Sequence, residues 1–264
     1  EISGGILEVN GGNGGTGGNG GTAGDGGSNN SPYYRSGSGG NGGNGGNGGT
    51  SGNGIFANAI KISGGDINIK GGAGGSCGIG GGSGSGGYNS GSGGKGGSGK
   101  SGNSGEGGIS GSGIFAETVI VNNGELNSYG GNTSFSGGSG IHSDLTVTDG
   151  SIYAYGYHNS AGIGGAGNAD QTNGFEIKIN GGYVFAQGSG NGFDIGGGYY
   201  NGVGTPGTLE VTGGTLQFAT YGRATNVSSP IFKNCTITGE GAYQHEGTYN
   251  ADGKFTVAVE DIRI

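Results

Sequence analysis

The chain has 264 residues, of which 80 are glycine and only 28% are hydrophobic, and this composition excludes a conventional compact core. Three prolines cannot support a collagen triple helix. A net charge of −8 disfavours nucleic acid and anionic lipid, and no apolar run reaches transmembrane length, so we expect no nucleic-acid partner and no membrane insertion.

A short unit of strand, glycine turn and second strand recurs along the chain. After a truncated copy that starts at Ile2, the complete copies span residues 60–69, 119–126, 145–152, 177–184 and 209–216. Counted from the second turn residue, positions −5, −3 and +2 are apolar in every complete copy. This alternation has the two-residue period of half-buried strands. The second turn residues are Gly5, Gly65, Gly124, Gly150, Gly182 and Gly214.

A single copy cannot bury its apolar face, so we expect the copies to stack. The long, variable intervals between copies favour parallel stacking over antiparallel hairpins, since parallel strands need long return connections. We therefore predict an all-β fold, a right-handed parallel β-solenoid whose hand follows the general crossover rule. It forms one domain over residues 1–264, with a C-terminal cap over residues 239–264 and a degenerate last copy that places Cys235 in the buried −5 position.

Two glycine-rich segments, residues 11–54 and 71–113, interrupt the copies with Gly-Gly-X triplets in which a polar residue recurs at every third position. This period fits polyproline II, which has no internal hydrogen bonds, so the arms must pair with one another. We predict two hairpin insertions packed through glycine, with the X side chains pointing outward. On this interpretation Gly43→Val is disruptive and replacement of Asn44 costs little. A flexible Gly/Ser linker is the alternative.

Two short sequences resemble those of glycine-rich parallel β-helix modules. One is the turn at residues 180–186, and the other is the loop at residues 160–165, which recurs in similar form at 77–82 and 193–198. Those modules belong to bacterial secreted and cell-surface proteins and are related in shape to pectate-lyase-like carbohydrate-binding domains. The Gly-Gly-X arms resemble the polyglycine-helix bundles of phage tail-tip adhesins and of certain insect antifreeze proteins. The resemblance implies a secreted or cell-surface binding module and implies no catalytic residue.

Aromatic residues occupy outward-facing positions in three consecutive copies. Aligned rings make a stacking platform for sugars, with Asn127, Gln187 and Lys178 available for hydroxyl groups. We expect the +3 rings about 4.8 Å apart and the +5 rings parallel. Alternatively, the glycine arms or residues 188–207 cover the rings as a second small core. The five residues are Tyr153 and Phe185 at +3, Tyr129 and Tyr155 at +5, and Tyr183 at +1.

The tip of the first insertion offers a rival site at Tyr33, Tyr34 and Arg35. Phage-like adhesins bind their receptors through loop tips, so the resemblance implies this location. We expect a non-catalytic extracellular module that binds polysaccharide or a cell-surface glycan. A structural spacer without ligand is the first alternative, and a polysaccharide lyase or an ice-binding protein is the second.

Little in the sequence supports catalysis, metal binding or a cofactor. Asp144 and Glu176 share the −6 position in successive copies, with no lysine or arginine clearly beside them. A solvated strand edge is the interpretation we adopt, with calcium binding as an alternative. The histidines His142, His158 and His245 lack ligand spacing and are taken as solvated. We predict no metal site and no cofactor.

Overall fold

The computed structural model describes residues 1–28, 38–83, 100–133, 137–167, 174–199, 202, 204–219, 223–227, 229–240, 243–245, 248–250 and 254–259, with the backbone alone at 223 and from 240 onward. Strands, turns and extended segments make up this part of the chain, which contains no helix. It follows that the described residues hold no helix of the length and hydropathy that crossing a bilayer requires. The predicted all-β class is confirmed.

Nineteen strands are described. They are β1 (Ile6–Asn10), β2 (Ile55–Ile62), β3 (Asp66–Lys70), β4 (Ile114–Val121), β5 (Glu125–Tyr129), β6 (Ile141–Val147), β7 (Ser151–Tyr155), β8 (Ile163–Gly164), β9 (Glu176–Ile179), β10 (Tyr183–Gln187), β11 (Phe193–Gly196), β12 (Thr208–Val211), β13 (Thr215–Phe218), β14 (Arg223–Thr225), β15 (Ile231–Phe232), β16 (Cys235–Glu240), β17 (Tyr243–His245), β18 (Thr248–Asn250) and β19 (Lys254–Val259).

Two long sheets are built from parallel strand pairs. One has the order β1-β3-β5-β7-β10-β13-β16-β19. The other has the order β14-β11-β8-β6-β9-β12-β15, with β4 paired to both β6 and β2. Among the described strands, antiparallel pairing is confined to β16 with β19 and β17 with β18. The copies therefore pair in parallel as predicted, and the antiparallel-hairpin alternative is wrong.

One apolar core collects the inward side chains of the strands on both sides of each turn. Position +2 aligns in register along the eight-stranded sheet, and position −3 aligns along the other sheet. Each of these buried aliphatic side chains stabilises the fold by roughly 1.5–3 kcal/mol. The fully buried residues are Ile67, Leu126, Ile152, Val184 and Leu216 at +2, and Ile62, Val121, Val147, Ile179 and Val211 at −3.

The second turn residue has a positive φ in each of the six copies, from 74° to 101°. Glycine adopts this left-handed conformation without the steric cost that a Cβ imposes. The turns also approach one another closely, because a Cβ on Gly150 would lie 2.6 Å from the carbonyl oxygen of Gly124. Backbone conformation and close packing therefore both require glycine at this turn.

Cys235 lies elsewhere in its copy than the sequence predicts. The register pairs Thr236 with Thr215 and Ile237 with Leu216, so Cys235 occupies the turn position, and the predicted −5 placement is wrong. The reason is that the last turn, although as long as the others, contains no glycine to mark it in the sequence, and Asn234 takes the positive φ of 47°. The thiol is nevertheless buried, as expected, and burial raises its pKa.

Within the predicted cap, residues 239–264, the structure describes β19, which pairs antiparallel with β16 at the end of the eight-stranded sheet. This pairing covers the outer edge of β16, where an uncovered strand could pair with another chain. Residues 241–242, 246–247, 251–253 and 260–264 lie outside the described residues.

The chain divides into two compact units. Unit 1 comprises residues 1–14, 50–74 and 109–264 and contains both long sheets. Unit 2 comprises residues 15–49 and 75–108. Its described parts are four extended segments without strand assignment, which we call arm 1 (15–28), arm 2 (38–49), arm 3 (75–83) and arm 4 (100–108).

Backbone hydrogen bonds at every third residue join the four arms of unit 2. Arm 1 runs parallel to arm 3, and arm 2 runs parallel to arm 4. The contacts between arms 1 and 2, arms 2 and 3, and arms 3 and 4 are antiparallel. Representative donor–acceptor pairs are Gly17 N to Ser76 O, Gly45 N to Asn103 O, Gly46 N to Gly18 O, Gly78 N to Gly46 O and Gly105 N to Gly78 O, all between 2.7 and 3.0 Å.

Glycine is required at several of the positions where one arm lies against another. A Cβ on Gly17 would approach the carbonyl oxygen of Gly46 to 2.0 Å, and a Cβ on Gly78 would approach that of Gly18 equally closely. Both positions face backbone atoms, which cannot rotate away as a flexible side chain can. The arms therefore stack at a separation that only glycine permits.

Asparagine side chains at X positions form hydrogen bonds with the backbone of a neighbouring arm. In arms 1 and 2 the side-chain Oδ1 of each asparagine accepts a hydrogen bond from the backbone N–H of the X residue on the parallel arm. Asn44 accepts from Asn103 N at 2.9 Å, so the expectation that replacing Asn44 costs little is wrong. The other pairs are Asn19 with Ile79, Asn41 with Lys100 and Asn47 with Glu106.

We predict that Gly150→Ala lowers the free energy of unfolding by roughly 1–3 kcal/mol. The alanine must keep a positive φ that is strained for a residue with a side chain, and its Cβ must contact the preceding turn. Chemical denaturation measures the loss. Gly4→Ala is the matched control, since Gly4 is a turn glycine and a Cβ added to it would have nothing within 4 Å. Equal stability of the two variants would contradict the turn argument.

We predict that Asn44→Ala exposes the amide of Asn103 to solvent, because that amide loses its acceptor. Hydrogen exchange followed by NMR should show faster exchange at Asn103 while Ile79, held by Asn19, is unchanged. The stability loss should be about 1 kcal/mol. Asn103→Ala is the control, as its side chain has no hydrogen-bond partner among the described residues. Unchanged exchange at Asn103 in Asn44→Ala would contradict the assignment.

Candidate functional site

Five half-buried aromatic residues form a contiguous surface on β5, β7 and β10 of the eight-stranded sheet, which we call the aromatic platform. They alternate along their strands with buried core residues, so the two-residue period that builds the core also directs these rings outward. Parallel register then brings the rings of neighbouring strands together. The members are Tyr129, Tyr153, Tyr155, Tyr183 and Phe185, the five residues predicted from the sequence.

The rings of the platform contact one another in a continuous series. Tyr129 and Tyr155 stack with their centroids 4.6 Å apart and their planes 4° from parallel, in agreement with the expected +5 pair. Phe185 is 5.4 Å from Tyr155. Tyr153 lies 5.6 Å from Tyr183. Every ring therefore has at least one aromatic neighbour.

The +3 rings are farther apart than predicted. The centroids of Tyr153 and Phe185 are 6.3 Å apart, and the planes are inclined at 40°. Their residues are direct partners in the parallel register, but the rings tilt away from the strand-to-strand direction. The backbone spacing of about 4.8 Å consequently does not fix the spacing of these side chains.

The platform is partly accessible, since all five side chains are half-buried and none belongs to the buried core. Burial raises the pKa of Tyr129, Tyr155 and Tyr183, so their hydroxyl groups stay protonated at neutral pH. The hydroxyl of Tyr183 donates to Oε1 of Gln217 at 2.5 Å, which orients that ring. The platform thus combines apolar ring faces with neutral hydrogen-bonding edges.

Polar residues flank the rings on the same sheet. Asn127 is the register partner of Tyr153, and Gln187 is the register partner of Tyr155. Lys178, which the sequence also suggested for this role, lies on β9 of the other sheet and pairs with Glu176 at 2.9 Å. It is therefore not placed among the residues that flank the platform.

Two adjoining clefts with both polar and apolar linings extend from Tyr129 towards β1. One has a volume of about 260 Å³ and is lined by Glu8, Asn68, Lys70 and Tyr129 among others. The next has about 330 Å³ and shares Lys70 with the first. Clefts of this size are at the lower limit for small-ligand sites. They offer amide and ammonium groups beside an aromatic ring.

The suggested acid pair is engaged in structural contacts. Asp144 Oδ1 accepts a hydrogen bond from the backbone N–H of Glu176 at 2.9 Å. Glu176 in turn pairs with Lys178, so the expectation that no basic residue lies beside the pair is wrong. No group of three or more potential metal-ligating side chains occurs in the part of the chain that the structure describes.

A second aromatic series crosses the other sheet, and sequence reasoning missed it. Phe56 stacks on Phe115 at 5.4 Å, Phe115 on His142 at 4.6 Å, and His142 meets Phe175 edge-on at 4.6 Å. His142 is buried, so the prediction that it is solvated is wrong. The repeated phrase Gly-Ile-Phe-Ala at residues 54–57 and 113–116, aligned with Gly-Ile-His at 140–142, was the available signal.

His142 is held neutral by its surroundings. Burial lowers its pKa to about 4, although the hydrogen bond to the Gly164 carbonyl opposes the shift. Since a carbonyl oxygen only accepts, Nδ1, at 3.1 Å from it, carries the proton of the neutral ring. The residue acts as part of the packed aromatic series.

Asp194 has a buried carboxyl group that joins neighbouring loops through hydrogen bonds. Its Oδ1 accepts from Gly188 N at 2.8 Å and its Oδ2 accepts from Ala219 N at 2.9 Å. Burial raises its pKa, and these two hydrogen bonds oppose the rise. Both oxygens are used within the fold, which indicates a structural role.

The rival site at Tyr33, Tyr34 and Arg35 lies outside the described residues. Comparison with protein-family models, with curated proteins and with solved structures finds no match to this chain.

We predict that acid weakens the fold through His142. Its folded pKa of about 4 lies below the ordinary 6.5, so the unfolded state binds a proton first as the pH falls. The contribution of His142 to the free energy of unfolding is fully present above pH 6.5. It declines by roughly 3 kcal/mol in all as the pH falls to 4. Urea unfolding across this window measures the decline.

His142→Phe should remove most of the pH dependence between pH 6.5 and 4, because phenylalanine fits an aromatic series and does not titrate. His158→Asn is the control and should retain it. His158 has a φ of 41°, and asparagine tolerates this left-handed conformation better than most residues. An unchanged pH dependence in His142→Phe would show that other groups cause the decline.

Proposed function

We propose that this chain is a non-catalytic extracellular module that binds polysaccharide or a cell-surface glycan through the aromatic platform. The platform is the observation that carries the proposal. Sugar rings present C–H faces that stack on aromatic rings, while their hydroxyl groups need polar partners at the margin. Asn127 and Gln187 supply such partners, and the cleft beside Tyr129 adds Asn68 and Lys70.

The architecture that we propose is a right-handed parallel β-solenoid. In support, the two strands that flank a glycine turn belong to different sheets. The chain passes in this way from β2 to β3 and from β4 to β5. Repetition of this step with parallel pairing makes each copy one coil. The hand follows the general preference for right-handed crossovers between parallel strands.

The glycine-rich segments are proposed to be polyproline II hairpins. Their hydrogen bonds recur every three residues and join neighbouring arms, which matches the three-residue turn of polyproline II. The resemblance to β-helix modules and phage adhesins, together with this bundle, supports a location outside the cell. The engagement of Asp144 and Glu176 in structural contacts supports a non-catalytic role.

Ligand binding should be weak at a single site. Each aromatic ring covered by a ligand contributes on the order of 1–2 kcal/mol, which suits adhesion through several copies on one surface. Neutral glycans fit best, since the net charge of −8 opposes the approach of anionic polymers.

A glycan array that includes plant and bacterial cell-wall polysaccharides first identifies a ligand. The test then compares how strongly the wild type and the variants are retained on that polysaccharide. Tyr129→Ala combined with Tyr155→Ala removes the stacked pair and should lower affinity at least tenfold, or about 1.4 kcal/mol. Phe56→Ala is the matched control, because this ring is 74% exposed and lies on the other sheet. Urea unfolding of each variant separates loss of binding from loss of fold.

Four outcomes would overturn the proposal. Equal retention of the wild type and the double variant would exclude the platform. Loss of retention in Tyr33→Ala with Tyr34→Ala alone would move the site to the tip of the first insertion. The absence of any retained glycan would favour a structural spacer, and release of unsaturated sugars would indicate a lyase.

A further inference from the structure

Arms 1 and 2 of unit 2 have an unpaired backbone edge. The X residues of arm 4, and Ile79 of arm 3, are held from both sides of the peptide, as at Asn103, whose carbonyl accepts from Gly45 N and whose N–H donates to Asn44. Six X residues of arms 1 and 2 have neither kind of partner among the described residues. Their backbone N–H and C=O groups are left free at Thr16, Asn19, Thr22, Asn41, Asn44 and Asn47.

Glycines of arm 1 present bare backbone at the same edge. In arm 3, a Cβ on Gly78 would lie 2.0 Å from the Gly18 oxygen, so glycine is required there. At Gly15, Gly18 and Gly21 of arm 1, nothing lies within 4 Å of the equivalent Cβ, and no contact within the described chain requires glycine. The edge thus keeps the bare backbone that arm-to-arm packing needs, although no described arm of this chain lies there.

The opposite edge of unit 2 differs. Arm 4 has Ser101 and Ser104 where arm 2 has Gly42 and Gly45, and both serines are exposed. A Cβ on Gly45 would lie 2.1 Å from the Gly78 oxygen, so an arm lying against the serines in the same way would meet their side chains. Arm 1 therefore offers bare backbone to a further arm, whereas arm 4 presents serine side chains.

We propose that two copies of the chain associate through the edges formed by arms 1 and 2. Each of the six X residues on this edge carries both a free donor and a free acceptor, so an antiparallel copy of the same edge forms reciprocal N–H···O=C pairs. A two-fold symmetric contact of this kind uses the same patch on both partners and closes as a dimer. The serines of arm 4 prevent the head-to-tail contact that would instead generate a fibre.

The proposal does not depend on glycan binding, and its test measures association alone. Sedimentation equilibrium over a concentration series should give a wild-type mass that rises above the 25.2 kDa of one chain. Gly15→Val with Gly18→Val should raise the dimer dissociation constant at least tenfold. Because nothing lies within 4 Å of either Cβ, the thermal unfolding of the monomer should be unchanged.

Ser101→Val with Ser104→Val is the matched control on the opposite edge and should dimerise as the wild type does. Thr16→Pro with Thr22→Pro provides a second test, since it removes two free N–H donors without deleting a hydrogen bond within the described chain. A wild-type mass of one chain at every concentration would overturn the proposal. Equal dimerisation of the wild type and both edge variants would also overturn it.

Discussion

The close stacking of the glycine turns sets the register of unit 1. Each turn glycine adopts a positive φ and, from the second copy onward, lies within contact distance of the preceding turn, so consecutive copies align at the same residue. A slip of one residue would exchange the core and solvent faces of a strand. The aligned turns therefore fix which side chains enter the core and which face outward.

The aromatic platform is a consequence of this alignment. Tyr129 and Tyr155 stack because they lie five residues beyond turns that are themselves in register. The copies are separated by 26 to 32 residues in this part of the sequence, so the stack depends on the turns rather than on proximity along the chain. A contiguous aromatic surface is obtained by placing aromatic residues at equivalent positions of successive copies.

Much of this arrangement could be predicted from the sequence because it depends on periodicity. The −3 and +2 positions, the parallel pairing and the outward direction of the five rings follow from a two-residue period and a recurring glycine. Side-chain orientation does not follow from periodicity. The tilt of Tyr153 against Phe185 depends on local packing, and the stacking of His142 depends on Phe115, a residue outside the strand–turn–strand unit. The placement of Cys235 failed because Asn234 replaced glycine in the turn.

The hydrogen bonds of the X-position asparagines have a consequence for the chemical lifetime of the protein. Asn41, Asn44 and Asn47 each precede glycine, the sequence in which an asparagine most readily cyclises and loses its side-chain amide. Cyclisation requires the glycine nitrogen to attack the side-chain carbonyl carbon. In the bundle that nitrogen donates to an arm 4 carbonyl, while the asparagine Oδ1 accepts from an arm 4 amide. Because the glycine nitrogen and the asparagine side chain are both engaged in hydrogen bonds to arm 4, we expect the folded bundle to slow the deamidation of these three asparagines.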